Sequence, residues 1–269
     1  MLGRYLPSFS LDYRHVNYVA NVLALLAVIG LLLSAIVWVI RLPYFVVDTV
    51  KIEGVNNDAL VYVTPATVSA TIAGQLKGNF FTIDLEQSRV LIESAPWVRR
   101  AQVRRVWPNT LEVKIEEHQP MAYWNENDMI NTWGEPFSAN EAVLGEEVQL
   151  PQLRGPANSE HLVVQRYAEI TQWLTPLGVS IHEFNLSPRY AWDVVLSNGM
   201  RMQLGRDPAA DIADLHGTSG ARDFAERLER FVQAWPTLLE RLEGRAIQSA
   251  DLRYSNGFAI ELAPPTIIE

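Results

Sequence analysis

The sequence contains no cysteine, and its five histidines, at positions 15, 118, 161, 182 and 216, never fall four residues apart. The first absence excludes disulfide frameworks, thiolate nucleophiles and zinc sites built on sulfur. The second leaves no helical His pair to hold a metal. Gly-x-Ser-x-Gly, Ser-x-x-Lys, P-loop and dinucleotide-glycine patterns are missing as well. Adjacent carboxylates occur at Glu116-Glu117, but neighbours on a strand face opposite ways, so they make no catalytic pair. These absences favour a protein with no enzymatic activity, no cofactor and no small-molecule substrate.

Charge is missing from one long stretch. Between Arg14 and Arg41, the run Val16 to Ile40 (VNYVANVLALLAVIGLLLSAIVWVI) carries none. As a helix rising about 1.5 Å per residue it is long enough, with tilt, to cross a hydrocarbon core of about 30 Å. Its apolar run is too long, and its small residues too poorly placed, for a cleaved signal peptide. Trp38, Tyr44 and Phe45 stand where interfacial anchors are found, yet positive-inside counting ties, with Arg4 and Arg14 before the span and Arg41 and Lys51 after it.

Basic residues are scarce in the distal part: residues 110–269 hold twelve Lys and Arg against twenty-four Asp and Glu, whereas residues 1–109 hold ten against seven. That balance disfavours nucleic acid and anionic lipid as partners and suits either plain solubility or a basic partner. Arg99, Arg100, Arg104 and Arg105 form a local basic cluster. Strand alternation splits it between two faces, which predicts solvated or partner-facing charges rather than nucleic-acid contacts.

Local signals then give an order of elements. A strand ending at Gly54 is followed by a helix from Thr64-Pro65 with Val68, Ile72 and Leu76 on one side, closed by Gly78. Asp84 and Gln87 form a capping-box pattern for a second helix that Pro96 forbids from continuing. Two alternating strands around Pro108-Asn109 place Leu111, Val113 and Ile115 on one face. The order is strand, helix, helix, strand, strand.

Beyond Pro120 the pattern turns mainly to strands. A hairpin is predicted over Asn125 to Asp128, a loop over 138–158, and a helix over 159–177 with Leu162, Arg166, Tyr167, Ile170 and Leu174 on its stripe. Strands over 181–186 and 190–204 follow, the second turning at Ser197-Asn198-Gly199. Residues 205–220 read as an exposed loop. Phe224, Leu228, Phe231, Trp235, Leu238 and Leu242 mark the most regular helix, which Gly244 stops. A closing hairpin turns at Ser255-Asn256-Gly257, a second copy of Ser-Asn-Gly. In its last strand Phe258, Ile260 and Leu262 share one face and Ala259 and Glu261 the other. Nothing remains in sequence to pair with the outer edge of that strand, so a partner strand or the loop 138–158 is expected to cover it, or water to bathe it.

Several of these stretches together carry a resemblance. PWV, RRVWP, EVKIEEHQPMAYW, LGR at 204–206, RFVQAWPTL at 230–238 and DLRYSNG at 251–257 resemble the FtsQ/DivIB family of bacterial cell-division proteins. The resemblance implies an α+β fold: a single N-terminal transmembrane helix, a POTRA domain (β-α-α-β-β), then a mainly β domain with flanking helices. The implied boundaries are a cytoplasmic tail over 1–15, a span over 16–41, a POTRA domain over 45–119 and an FtsQ-type β domain over 120–269. It implies a non-enzymatic inner-membrane scaffold at the division septum, bulk in the periplasm, that works with FtsB and FtsL and helps recruit and regulate septal peptidoglycan synthesis. The family's FtsB site falls on Arg253, Tyr254, Ser255, Gly257, Phe258, Ala259 and Ile260. The chain departs from the family pattern in being longer between Arg206 and Phe224. Other POTRA-bearing proteins serve outer-membrane assembly or secretion, but they call for barrel strands and a cleaved signal.

Overall fold

A computed structural model describes residues 13–55, 58–145, 148–206, 218–243 and 245–264. The uncharged run forms α1 (Tyr13–Ile40). Its 24 residues from Asn17 to Ile40 are long and apolar enough to cross a membrane, and none of that window is buried against the described chain. At about 1.5 Å per residue it spans roughly 36 Å, slightly more than a hydrocarbon core.

By backbone proximity the chain divides into two compact units, one comprising Met1–Ala59, Val68–Ser94 and Arg100–Ile115, the other Leu60–Thr67, Ala95–Arg99 and Glu116–Glu269. The predicted strand-helix-helix-strand-strand order is present as β1 (Thr49–Gly54), α2 (Pro65–Ile72), α3 (Leu85–Glu93), β2 (Val98–Val106) and β3 (Thr110–Glu117). The strands lie in the order β1-β3-β2, with β1 parallel to β3 from Thr49↔Thr110 to Gly54↔Ile115. Central β3 buries Leu111, Val113 and Ile115, and the helices bury Val68, Ile72 and Ile92. Asp84 caps α3 by accepting from the Glu86 and Gln87 N–H groups, which is the orphan-donor problem of a helix start solved locally. α2 ends at Ile72, so Leu76 lies beyond it and the predicted helix is one turn too long.

Among the described residues the second unit is built on a sheet of nine strands. Those following β3 are β4 (Pro120–Trp124), β5 (Asp128–Asn131), β6 (Pro136–Phe137), β7 (Gln152–Arg154), β8 (Ile181–Leu186), β9 (Ala191–Leu196), β10 (Arg201–Arg206), β11 (Ile247–Asp251) and β12 (Ala259–Leu262), in the sheet order β12-β11-β10-β9-β8-β7-β4-β5-β6. The hairpin over Asn125–Asp128 and the tight turn at Ser197-Asn198-Gly199 form as predicted; Gly199 has φ +84°, which glycine adopts without a Cβ penalty. The expected loop over 138–158 is corrected in its last third. Gln152–Arg154 is a strand, parallel to both β4 and β8 with Leu153 fully buried. Three residues are too few to show periodicity; their neighbours impose the strand.

α4 (Glu160–Leu174) and α5 (Thr218–Leu242) join the sheet in one apolar core. The buried stripe of α4 is Val163, Ile170 and Leu174 rather than one led by Leu162, and Thr175–Leu177 is a separate 3-10 turn. On α5 the predicted stripe holds: Phe224, Leu228, Phe231 and Trp235 are buried. Each such side chain contributes about 1.5–3 kcal/mol by leaving water. Of the expected loop over 205–220, Gly205 and Arg206 end β10 and residues 218–220 open α5; residues 207–217 and the Gly244 stop lie outside the described residues.

Candidate partner-docking edge

The last strand sits at the end of the sheet. β12 pairs antiparallel with β11 through Ser249↔Glu261, Ala250↔Ile260 and Asp251↔Ala259, and no other described strand flanks it. β11 in turn runs parallel to β10. A parallel neighbour demands a crossover connection, and α5 is the crossover helix. The loop 138–158, expected as a possible cover for this edge, supplies β7 at the middle of the sheet instead.

Between the two strands the chain turns at Ser255-Asn256, as expected, but inside a longer connection than the one at Ser197-Asn198-Gly199. β11 ends at Asp251 and β12 starts at Ala259, leaving a seven-residue connection over 252–258. Three sets of contacts account for the difference between the two Ser-Asn-Gly copies. Leu252 is buried and its N–H donates to the Gln203 carbonyl (2.9 Å). Arg253 folds back on Asp251, its N–H and Nε donating to Oδ1 at 3.0 and 2.8 Å and its Nη2 to Oδ2 at 2.6 Å. From α5, Arg230 Nη1 donates to the Ser255 carbonyl at 2.8 Å and Arg227 Nη1 to the Arg253 carbonyl at 3.3 Å. The arginine hydrogen bonds hold the Asp251 carboxyl below its ordinary range.

Beneath this connection Gly205 has φ +79°, and a Cβ there would stand 3.0 Å from Arg253 Cγ. The Leu-Gly-Arg motif at 204–206 therefore leaves room for the Asp-Leu-Arg motif at 251–253. Phe258 turns inward onto Phe231, ring centroids 5.2 Å apart at 84°.

The seven residues singled out in sequence are thus contiguous but unlike in exposure. Arg253, Tyr254, Ser255 and Ala259 are exposed, while Gly257, Phe258 and Ile260 are half-buried, the last two against the core. Glu261 faces outward and accepts from the Ser249 hydroxyl at 3.0 Å. An open polar groove on the same sheet face is lined by Arg201, Gln203, Gln248, Ser249 and Arg253. What this arrangement offers chemically is main-chain donors and acceptors along β12, an exposed tyrosine beside them and a polar floor. Among the described residues, no group of three His, Asp and Glu side chains is placed to hold a metal ion.

Sequence reasoning missed a second constellation. Arg99, grouped with three other arginines as solvated or partner-facing, is corrected: its side chain is 9% exposed, Nε and Nη2 donate to Glu135 at 2.6 and 3.0 Å, and Nη1 donates to Glu116 at 2.6 Å. Its guanidinium carbon also lies 4.0 Å from the centre of a Trp133 ring. Fully buried Asn131 organises the rest. Its Oδ1 accepts from the Trp133 and Glu135 N–H groups at 2.9 Å, and its Nδ2 donates to Glu135 Oε2 at 2.8 Å and His118 Nδ1 at 2.9 Å. Arg99, as the main cause, holds the Glu135 carboxyl down to about 2. Burial lowers His118, which stacks on Phe137 at 4.1 Å. Glu117 points away from Glu116 and accepts from the Val61, Tyr62 and Val63 N–H groups. Within the turn over 131–135, Glu135 reaches back to Arg99, 36 positions earlier, and no local pattern announces that contact.

Two family descriptions match the chain: "POTRA domain, FtsQ-type" over residues 45–118 and "Cell division protein FtsQ/DivIB, C-terminal" over residues 122–253. The chain belongs to the FtsQ/DivIB family. Curated relatives named Cell division protein FtsQ agree over nearly full length. The Bordetella pertussis protein is 54% identical over 253 residues, 94% of this chain and 93% of the relative. The Burkholderia pseudomallei protein is 40% identical over 94% of each, and that of Nitrosospira multiformis 36% identical over 92% and 97%. The strand-helix-helix-strand-strand elements thus form an FtsQ-type POTRA domain, followed by the mainly β part. With its apolar N-terminal helix, the FtsQ-family architecture fits a bitopic membrane protein of the division septum.

Proposed function

We propose that this protein is a non-enzymatic scaffold of the division machinery in the inner membrane. The tail over 1–15 lies in the cytoplasm, residues 16–41 cross the bilayer, and the POTRA domain over 45–119 and β domain over 120–269 occupy the periplasm. There it binds FtsB and FtsL and helps recruit and regulate septal peptidoglycan synthesis. The docking site is Arg253, Tyr254, Ser255, Gly257, Phe258, Ala259 and Ile260.

One observation carries the reading: β12 has a neighbour on one side alone among the described strands. An unpaired edge presents backbone N–H and C=O groups that water satisfies until a strand replaces it. A partner strand adds main-chain bonds for affinity, and an aromatic side chain supplies the anchor. Tyr254, 56% exposed, is free to be that anchor, whereas Phe258 supports the connection from below.

The test is capture of a periplasmic FtsB segment by the full-length protein. Tyr254→Ala and Phe258→Glu abolish capture on this reading, and unaltered capture in both rejects the edge site. Depletion in the host yields undivided filaments; normal division rejects the scaffold role.

A further inference from the structure

We infer that the unit containing β1, β3 and α3 lies against the bilayer through an aromatic face built on Tyr44, Phe81 and Trp107, inserted at the headgroup level. This rests on reading α1 as a membrane span. Phe45 is the hub of the face: it is buried, with ring centroids 5.3 Å from Tyr44, 4.9 Å from Phe81 and 5.5 Å from Trp107. Around this hub the outer rings remain open, Tyr44 and Trp107 each 64% exposed and Phe81 43%, with Val46 and Val106 beside them. Burial of the hub alone explains Phe45; it leaves three large rings in water that the fold does not need there. Contiguous apolar surface of this kind marks an interaction site.

The same residues indicate what covers it. Asn79, immediately before Phe80-Phe81, donates through Nδ2 to the carbonyl of Ile40 at 2.6 Å, so the face is fastened to the last turn of α1. The Phe80 N–H donates to the Phe45 carbonyl at 2.8 Å, closing the link. Tyr44 follows Ile40 by four residues, at most about 14 Å of chain. The headgroup zone itself adds roughly 5–8 Å beyond the hydrocarbon on each side. The rings are therefore tethered within reach of that zone, at a high effective concentration of lipid. Tyr and Trp favour it because an apolar ring and a polar tip find both environments there. Burial against lipid also fixes the tilt of the whole unit, since β2 ends at the face and β1 and β3 start beside it.

Because the chain has no cysteine, single spin labels can be introduced one at a time into the full-length protein in phosphatidylcholine nanodiscs. Leu26→Cys marks the span and Val106→Cys the aromatic face. Arg100→Cys marks the far end of β2, six residues from Val106 and so about 20 Å away. The readout is the ratio of collision rates with oxygen, which partitions into lipid, and with a nickel chelate, which does not. The expected order is Leu26 highest and Val106 severalfold above Arg100. Trp107→Phe should preserve the Val106 value, and Trp107→Ser should lower it towards that of Arg100. A Val106 value equal to Arg100 while Leu26 stays high overturns the docking and leaves the span intact; a face reserved for a protein partner gives this result, because the disc contains none. A low Leu26 value overturns the span and the docking together. An unchanged ratio in Trp107→Ser overturns the assignment to the aromatic rings.

Discussion

Phe258 meets Phe231 edge-on, 5.2 Å between ring centroids, and this contact ties the connection before the last strand to the middle of α5. Phe231 is fully buried and Phe258 half-buried. The candidate docking edge is therefore not an independent flap: its footing is the same core that holds the sheet.

A double-mutant cycle tests that footing. Phe231→Ala should lower unfolding free energy by about 3–5 kcal/mol, because a fully buried ring leaves a cavity. Phe258→Ala should cost less. Their coupling should fall at about 0.5–1.5 kcal/mol, the range of an edge-to-face pair. Urea midpoints followed by tryptophan fluorescence supply the four corners, and zero coupling would separate the connection from the core.

Gly205→Ala carries two penalties at once. The backbone at φ +79° disfavours any side chain, and the new Cβ stands 3.0 Å from Arg253 Cγ. Strain of about 1–3 kcal/mol should appear as a lower urea midpoint. Hydrogen exchange should show lost protection at Leu252, whose N–H reaches the Gln203 carbonyl. An unchanged exchange pattern would mean that Arg253 swings away without disturbing its neighbours.

Acid should weaken the Arg99 constellation in two windows. Glu135 is depressed to about 2 from an ordinary 4.5. Its contribution is complete above 4.5 and is lost as pH falls towards and through 2, since the unfolded chain takes up the proton first. His118 is lowered from 6.5 by burial, and its Nδ1 accepts from Asn131. The unfolded chain again protonates first, so stability is complete above 6.5 and declines below it. Urea midpoints should fall from pH 7.5 to 5.5, with a shallower slope in His118→Gln. A further fall below pH 4.5 should be shallower in Glu135→Gln. A flat profile in the parent protein would refute both.

What the sequence made legible was whatever repeats at a local period. The stripe on α5 spans six residues at steps of four and three, and Asp84 caps α3 within its own first turn. Features set by distant neighbours were hidden. β7 is three residues long and becomes a strand because β4 and β8 flank it. Arg99 and Glu135 are 36 positions apart, so nothing local distinguishes Arg99 from exposed Arg100. The two Ser-Asn-Gly copies diverge because Arg230 and Phe231 of α5 seize only the second. At the candidate edge, alternation foretold which side chains face inward from Phe258 to Leu262, while the seven-residue connection depended on α5 and was not readable.

The three residues of β7 join β4-β5-β6 to β8-β9-β10-β11-β12. Such a splice makes the backbone ladder narrowest at its middle. A pull applied along β12 first meets the three-residue seam between β11 and β10 and, beyond β9 and β8, the two- and three-residue seams that flank β7. The sheet therefore parts at one of these short parallel seams and not at the four-residue edge under load.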